Sequence, residues 1–227
     1  MIMKHLRKFN TDADVQDWQI SEECVKPNVV LVGGTGGVGY NVSPLSEVMI
    51  QHIDGSFYTT DEWSVNGFAN DQANGVAVFT PNSKFVIAKT SLGKTTWSSD
   101  TSNAVEGVML TENSVTAKTD YAGAANTALI AEIDTGKAAY KCANFTFPNG
   151  AKGYLPALGE WVEAYFYKVD IDAAMTLIGG TALGSSWYWS STQHSAGQAW
   201  LLDWTNGLTG NYNKSSTFSD VRAFSAL

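Results

Sequence analysis

Cysteine is scarce: Cys24 and Cys142 are the two in 227 residues. A pair so far apart in the chain makes neither a disulfide framework nor a thiolate metal cluster, so two free thiols in a reducing compartment are expected. Histidine is nearly as rare. His5, His52 and His194 are scattered, without the H-x-x-x-H or H-E-x-x-H spacing of a zinc enzyme, so no metal and no cofactor is expected. Positive charge is also short. Fourteen Lys and Arg against 22 Asp and Glu leave a formal net charge of −8, which phosphate backbones and anionic lipid repel. Nucleic acid is therefore not an expected partner. No apolar run approaches the roughly 20 residues of a membrane span. The N-terminal "MIMKHLRKFNTDADVQDW" carries basic residues without a following apolar core, so it does not read as a signal peptide.

Apolar side chains and aromatic rings are plentiful. Hydrophobic residues make up 44%, aromatics 12% and charged residues 16%, the composition of a globular protein that buries a real core. Residues 1–30 read as a short helix, capped by Asp12 or Asp14 and ended by Pro27. A strand and a glycine-rich stretch follow in "NVVLVGGTGGVGYNVSP". Gly34, Gly36 and Gly39 spell G-x-G-x-x-G, but Pro44 and the β-branched or turn-forming residues before it deny the helix on which a pyrophosphate would rest. This stretch reads as a hinge, which makes residues 1–45 an attachment or oligomerisation segment and 46–227 the main domain.

Within that domain, hairpins are expected around Asp54-Gly55 and around Pro81-Asn82-Ser83. Residues 92–150 are polar and rich in Ser, Thr, Asn and Ala, with "EGVML" a strand candidate and "NTALIAEI" a helix candidate. Leu158, Trp161, Val162, Tyr165 and Val169 share one helical face; Asp170–Asp172 divides the helical region and Gly179-Gly180 ends it. "WYWSST", "AWLLDW" and "VRAFSAL" read as strands, and "LTGNYNKSSTFSD" reads as a loop. In "AWLLDWT", a period of two puts Trp200, Leu202 and Trp204 on a core face and Leu201, Asp203 and Thr205 on a solvent face. That face and its two neighbouring loops set aromatic side chains among Ser, Gly, Asn and Thr, as antibody paratopes do.

"LPALGEW" with its helix, "YWSST", "AWLLDW" and a terminal "VRAF" resemble, in that order, the C-type lectin fold of variable proteins diversified by retroelements. "LRKF" and "KPNVVLV" resemble the start of structural proteins from phages and prophages of gut bacteria. The resemblance covers 150–227 well, 46–150 in part and 1–32 briefly. It implies an α+β, C-type lectin-like fold, with two helices packed on short antiparallel sheets behind a small N-terminal segment. It also implies a variable region at about 185–220. Error-prone copying of template adenines would reach His194, Ser195, Ala196, Gly197, Asp203, Thr205, Thr209, Gly210, Asn211, Tyr212, Asn213, Ser215, Ser216, Thr217, Phe218, Ser219 and Asp220, but not Trp200, Trp204 or Lys214. Those positions other than Asn213, with Ser185, Ser186, Tyr188 and Leu201, are the expected ligand-binding set. The implied function is a virion protein, made in the bacterial cytoplasm. It would bind a host-surface protein or glycan through this face, attach to other virion proteins through its N-terminal segment, and trimerise by analogy with related variable proteins.

Three alternatives stand beside this reading. A fixed, calcium-independent lectin-like module would bind a carbohydrate or protein without diversification. A formylglycine-generating enzyme resembles the "LP…EW" stretch, but no cysteine follows Cys142 to supply its chemistry, and no other catalytic constellation is present. A calcium-dependent lectin would carry Glu-Pro-Asn or Gln-Pro-Asp and a Trp-Asn-Asp triplet; "DWTNG" is the nearest approach.

Overall fold

The alternation over 75–88 produces two strands with two buried faces. A computed structural model describes residues 47–227, so the expected N-terminal helix, glycine hinge and attachment segment lie outside the described residues. Strands β1 (Val48–His52), β2 (Phe57–Tyr58), β3 (Ala73–Phe79) and β4 (Lys84–Ala88) pair antiparallel. Both expected hairpins form. Gly55 takes φ 93° in the first turn, a conformation open to glycine, and the Thr80 N–H donates to the Ser83 carbonyl at 2.9 Å across the second.

Six α-helices occur among the described residues of this α+β fold, where the resemblance implied two packed on the sheets. α1 (Thr60–Asn66) starts from a capping box: the Glu62 N–H donates to Thr59 Oγ1 and the Thr59 N–H to Glu62 Oε2. α2 (Ser114–Ala117), α3 (Gly123–Ile133) and α4 (Ala138–Asn144) lie in the polar 92–150 region. The expected helix there is α3, but "EGVML" is a turn with one isolated bridge, Leu110 to Gln193, instead of a strand. α5 (Leu158–Phe166) buries Leu158, Trp161 and Ala164. α6 (Lys168–Leu177) ends, as expected, at Gly179 with φ 64°. The division falls at Tyr167, ahead of Asp170. The helical phase restarts there, and Val169 is 80% exposed instead of joining the apolar face.

Two sheets result. The larger has the order β2-β1-β3-β4-β8, where β8 is Phe224–Ala226; the smaller has the order β5-β6-β7. β5 is Trp187–Gln193, β6 is Gln198–Asp203, and β7 is Thr209–Asn213, a strand where a loop was expected. Val76, Val78, Phe85 and Ile87 pack with α5 and α6 in one core. Ala77, Val86 and Ala88 face a second core with Trp97, Ile130, Cys142, Trp189, Leu201 and Ala223. The C-terminal chain joins the sheets. The Trp189 N–H donates to the Asp220 carbonyl at 3.1 Å, and four residues later β8 pairs with β4. Among the described residues, no helix is long and apolar enough to cross a membrane.

Candidate ligand-binding face

β6 holds the centre of the face, and its pairing with β7 places the candidates on those two strands. The register sets Ala199 opposite Tyr212, Leu201 opposite Gly210 and Trp200 opposite Asn211. Trp200, Leu202 and Trp204 enter the first core, as their period predicts. Leu201 and Asp203 do not face solvent. Leu201 is buried in the second core, which covers the side of β6 that an ordinary half-exposed strand would leave wet. Asp203 is buried and builds the turn into β7: its Oδ1 accepts from the Thr205 N–H at 2.9 Å and its carbonyl accepts from the Gly207 N–H at 2.8 Å. Two more candidates are internal. Tyr188 packs its ring at a tilt against Trp161, 5.0 Å between centroids, and donates its hydroxyl to the Leu183 carbonyl. Ser219 is fully buried, and its carbonyl accepts from the Thr95 N–H at 3.4 Å.

The remaining candidates reach the surface in two groups. At the β6–β7 end, Ser185 and Thr205 are exposed and Ser186 is half-buried beside Trp204. At the β5–β6 end, His194, Ser195, Ala196 and Gly197 are half-buried, with the His194 ring edge-on to Trp200 at 5.0 Å. β7 and the segment after it link the groups. Asn211, Ser215 and Thr217 are exposed, and Thr209, Gly210, Ser216 and Asp220 are half-buried. Tyr212 and Phe218 are 47% and 48% exposed, and their rings lie 5.5 Å apart. Neither of two neighbours of this pair was picked out by sequence reasoning. Trp187 lies half-buried on β5 so close to Gly210 that a Cβ there would stand 3.2 Å from the indole. Lys94 places its ammonium 5.8 Å from the Phe218 ring, in cation–π range. Trp187 lies in the expected strand "WYWSST" without a sequence signal that its ring reaches the surface, and Lys94 is too distant in sequence to suggest the contact.

Buried charges fix this surface from below. Lys214 has no exposed area; its Nζ donates to Gln193 Oε1 at 2.8 Å and stands 4.5 Å from the Trp97 ring. Burial brings its ammonium down to about 8, partly opposed by Asp100. Gln193 in turn holds the 105–108 turn, accepting from the Val105 N–H and donating to the Val105 carbonyl. Arg222 is also fully buried, donating to the carbonyls of Ala88 at 3.0 Å and Thr181 at 2.8 Å. Burial lowers its pKa while Tyr188 and Asp220 oppose the shift. No group of three or more His, Cys, Asp or Glu able to hold a metal occurs among the described residues. Chemically, the face offers exposed rings, hydroxyls and amides on a stiff base.

No family model matches the chain, and no curated protein matches it. It is similar in structure to a fimbrial protein from Bacteroides ovatus, with a TM-score of 0.57 and 14% identity. The match covers 81% of this chain and 49% of that one, so the chain spans about half the length of this neighbour.

Proposed function

We propose that this chain is a diversified binding protein of a phage or prophage particle, not an enzyme. It engages a host-surface protein or glycan through the face around Tyr212 and Phe218. A C-type lectin-like fold for residues 46–227 is part of the proposal. So are a homotrimer and attachment to other virion proteins through the N-terminal segment. The observation that carries the reading is the division of the 209–220 run. Tyr212, Thr217 and Phe218 are exposed, while Lys214, the residue in that run that adenine substitution does not reach, is wholly buried. Side chains on the outside are free to change while Lys214 and Arg222 keep the backbone in place. Weak individual sites gain from many copies on one particle.

The test is binding to immobilised host-surface fractions by the wild type and by Tyr212→Ala/Phe218→Ala. The pair should lose about tenfold or more in affinity with an unchanged melting temperature. Trp204→Ala, in the core at no exposure, should instead lose about 3–5 kcal/mol of stability. Unfolding of the first pair, or wild-type binding by it, contradicts the reading.

A second reading is a subunit of a bacterial surface fibre, favoured by the fold shared with the fimbrial protein. Fractionation separates the two: particles purified by density gradient contain the chain in the first case, and fibres sheared from the cell surface contain it in the second.

A further inference from the structure

The backbone of β7 is open on its outer side. Two hydrogen bonds fix the parity of the β6–β7 ladder: the Lys214 N–H donates to the Gly197 carbonyl at 2.9 Å, and the Asp203 N–H donates to the Leu208 carbonyl at 2.8 Å. Antiparallel pairing alternates, so the even-numbered residues of β7 bond to β6 and the odd ones, Thr209, Asn211 and Asn213, turn their backbone groups outward. Among the described residues, no strand pairs with this edge. The Asn213 carbonyl accepts from the Ser216 N–H; the other outward groups have no backbone partner among the described residues.

The other sheet edges are protected. β2 has two residues. The outer side of β8 is covered by Tyr154, whose N–H donates to the Phe224 carbonyl at 2.7 Å and whose carbonyl accepts in return. Proteins usually blunt such edges with charge, proline or a bulge. β7 has none of these: its residues are Thr-Gly-Asn-Tyr-Asn, its register is regular, and the neighbouring lysine, Lys214, points into the core.

We infer that β7 receives an extended strand of a partner polypeptide, which adds to the small sheet as a fourth strand and places alternate side chains beside Tyr212 and over the Gly210–Trp187 gap. This rests on the binding face proposed above and makes its partner a protein segment instead of a glycan. The chemistry follows from the edge. Five residues span about 17 Å and present outward N–H and C=O groups in β spacing, which an extended peptide complements and a sugar does not. Gly210 has no side chain, so part of the Trp187 indole is left for an apolar side chain on the incoming strand. The backbone bonds of the added strand stay available when the variable side chains change, while those side chains set the choice of partner.

The test uses short random linear peptides displayed against the immobilised full chain, with the best binder remade synthetically. Asn211→Pro removes an outward N–H that β6 does not use, a substitution that edge strands tolerate. Asn211→Ala removes only the side chain. The expected result is a loss of about tenfold or more in affinity for Asn211→Pro, at least about threefold greater than the loss for Asn211→Ala. N-methylation of the peptide at alternate residues tests the same bonds if Asn211→Pro fails to fold: one parity should abolish binding and the other leave it. Equal binding by wild type and Asn211→Pro, equal losses in both variants, indifference to methylation, or no selected peptide would each overturn the inference. So would self-association of the wild type that Asn211→Pro dissolves, since the edge would then join two copies. Tyr212→Ala/Phe218→Ala separates the two claims. Lost binding in that pair with retained binding in Asn211→Pro leaves the face standing and removes the added strand.

Discussion

The Lys214 ammonium stands 4.5 Å from the centre of the Trp97 indole, beneath a segment whose other side chains are mostly polar and exposed. The same lysine donates to Gln193 Oε1 at 2.8 Å, and its carbonyl accepts from the N–H groups of Trp97 and Ser98. One residue thus ties the end of β7 to β5 and to the 97–108 chain. A loop held in this way differs from a free one: its exposed residues change without the backbone moving.

Lys214→Met tests that anchor through pH. Burial depresses the folded pKa to about 8 from an unfolded value of 10.5. Between these values the unfolded chain binds the extra proton, so this group's contribution is full above 10.5 and is lost as pH falls through 8. Wild-type stability should therefore gain on Lys214→Met from pH 8 to 10, with a slope of up to about 1.4 kcal/mol per pH unit. Urea titrations at several pH values measure it, and parallel curves contradict the assignment.

Glu160 gives the opposite sign. Its carboxyl caps α5, accepting from the Ala157 N–H at 2.7 Å and the Tyr154 hydroxyl at 2.9 Å, and burial pushes it up to about 7. A raised folded pKa gives stability that is full below 4.5 and lost as pH rises through 7. Glu160→Gln, which stays neutral, should gain on wild type from pH 5 to 8. Thermal unfolding across that range checks it, and a widening deficit of the variant contradicts it.

The corrected side of β6 has its own test. Leu201→Asn puts an amide into the second core and should cost about 2–5 kcal/mol. Thr217→Asn, on the exposed segment, should stay within about 0.5 kcal/mol of wild type. Comparable costs for the two would return Leu201 to the surface.

Much of the framework was legible in the sequence. The hairpins at Asp54-Gly55 and Pro81-Asn82-Ser83, the α5–α6 helical region, β5, β6 and β8 follow from period and turn residues. The failures have physical causes. Alternation along β6 separates two faces but does not say that both are covered, and Leu201 was the residue whose character hinted at it. Thr-Gly-Asn-Tyr-Asn has little strand propensity of its own and becomes β7 through pairing with β6. The 92–150 region packs through small side chains such as Ala117, Ala138 and Ala139, which leave almost no hydrophobic period to read. Lys94 reaches Phe218 across more than a hundred residues, a contact that only the tertiary fold creates.

Sequencing the 3′ end of the gene across its source population, with the flanking DNA, tests the central claim most directly. Differences should concentrate at exposed and half-buried positions such as Ser185, Thr205, Asn211, Tyr212, Thr217 and Phe218, matched to adenines in a nearby near-copy. None should fall at Trp200, Trp204, Lys214 or Arg222. An invariant segment with no near-copy beside it, or changes as frequent at Lys214 and Trp204 as at Tyr212, would contradict it.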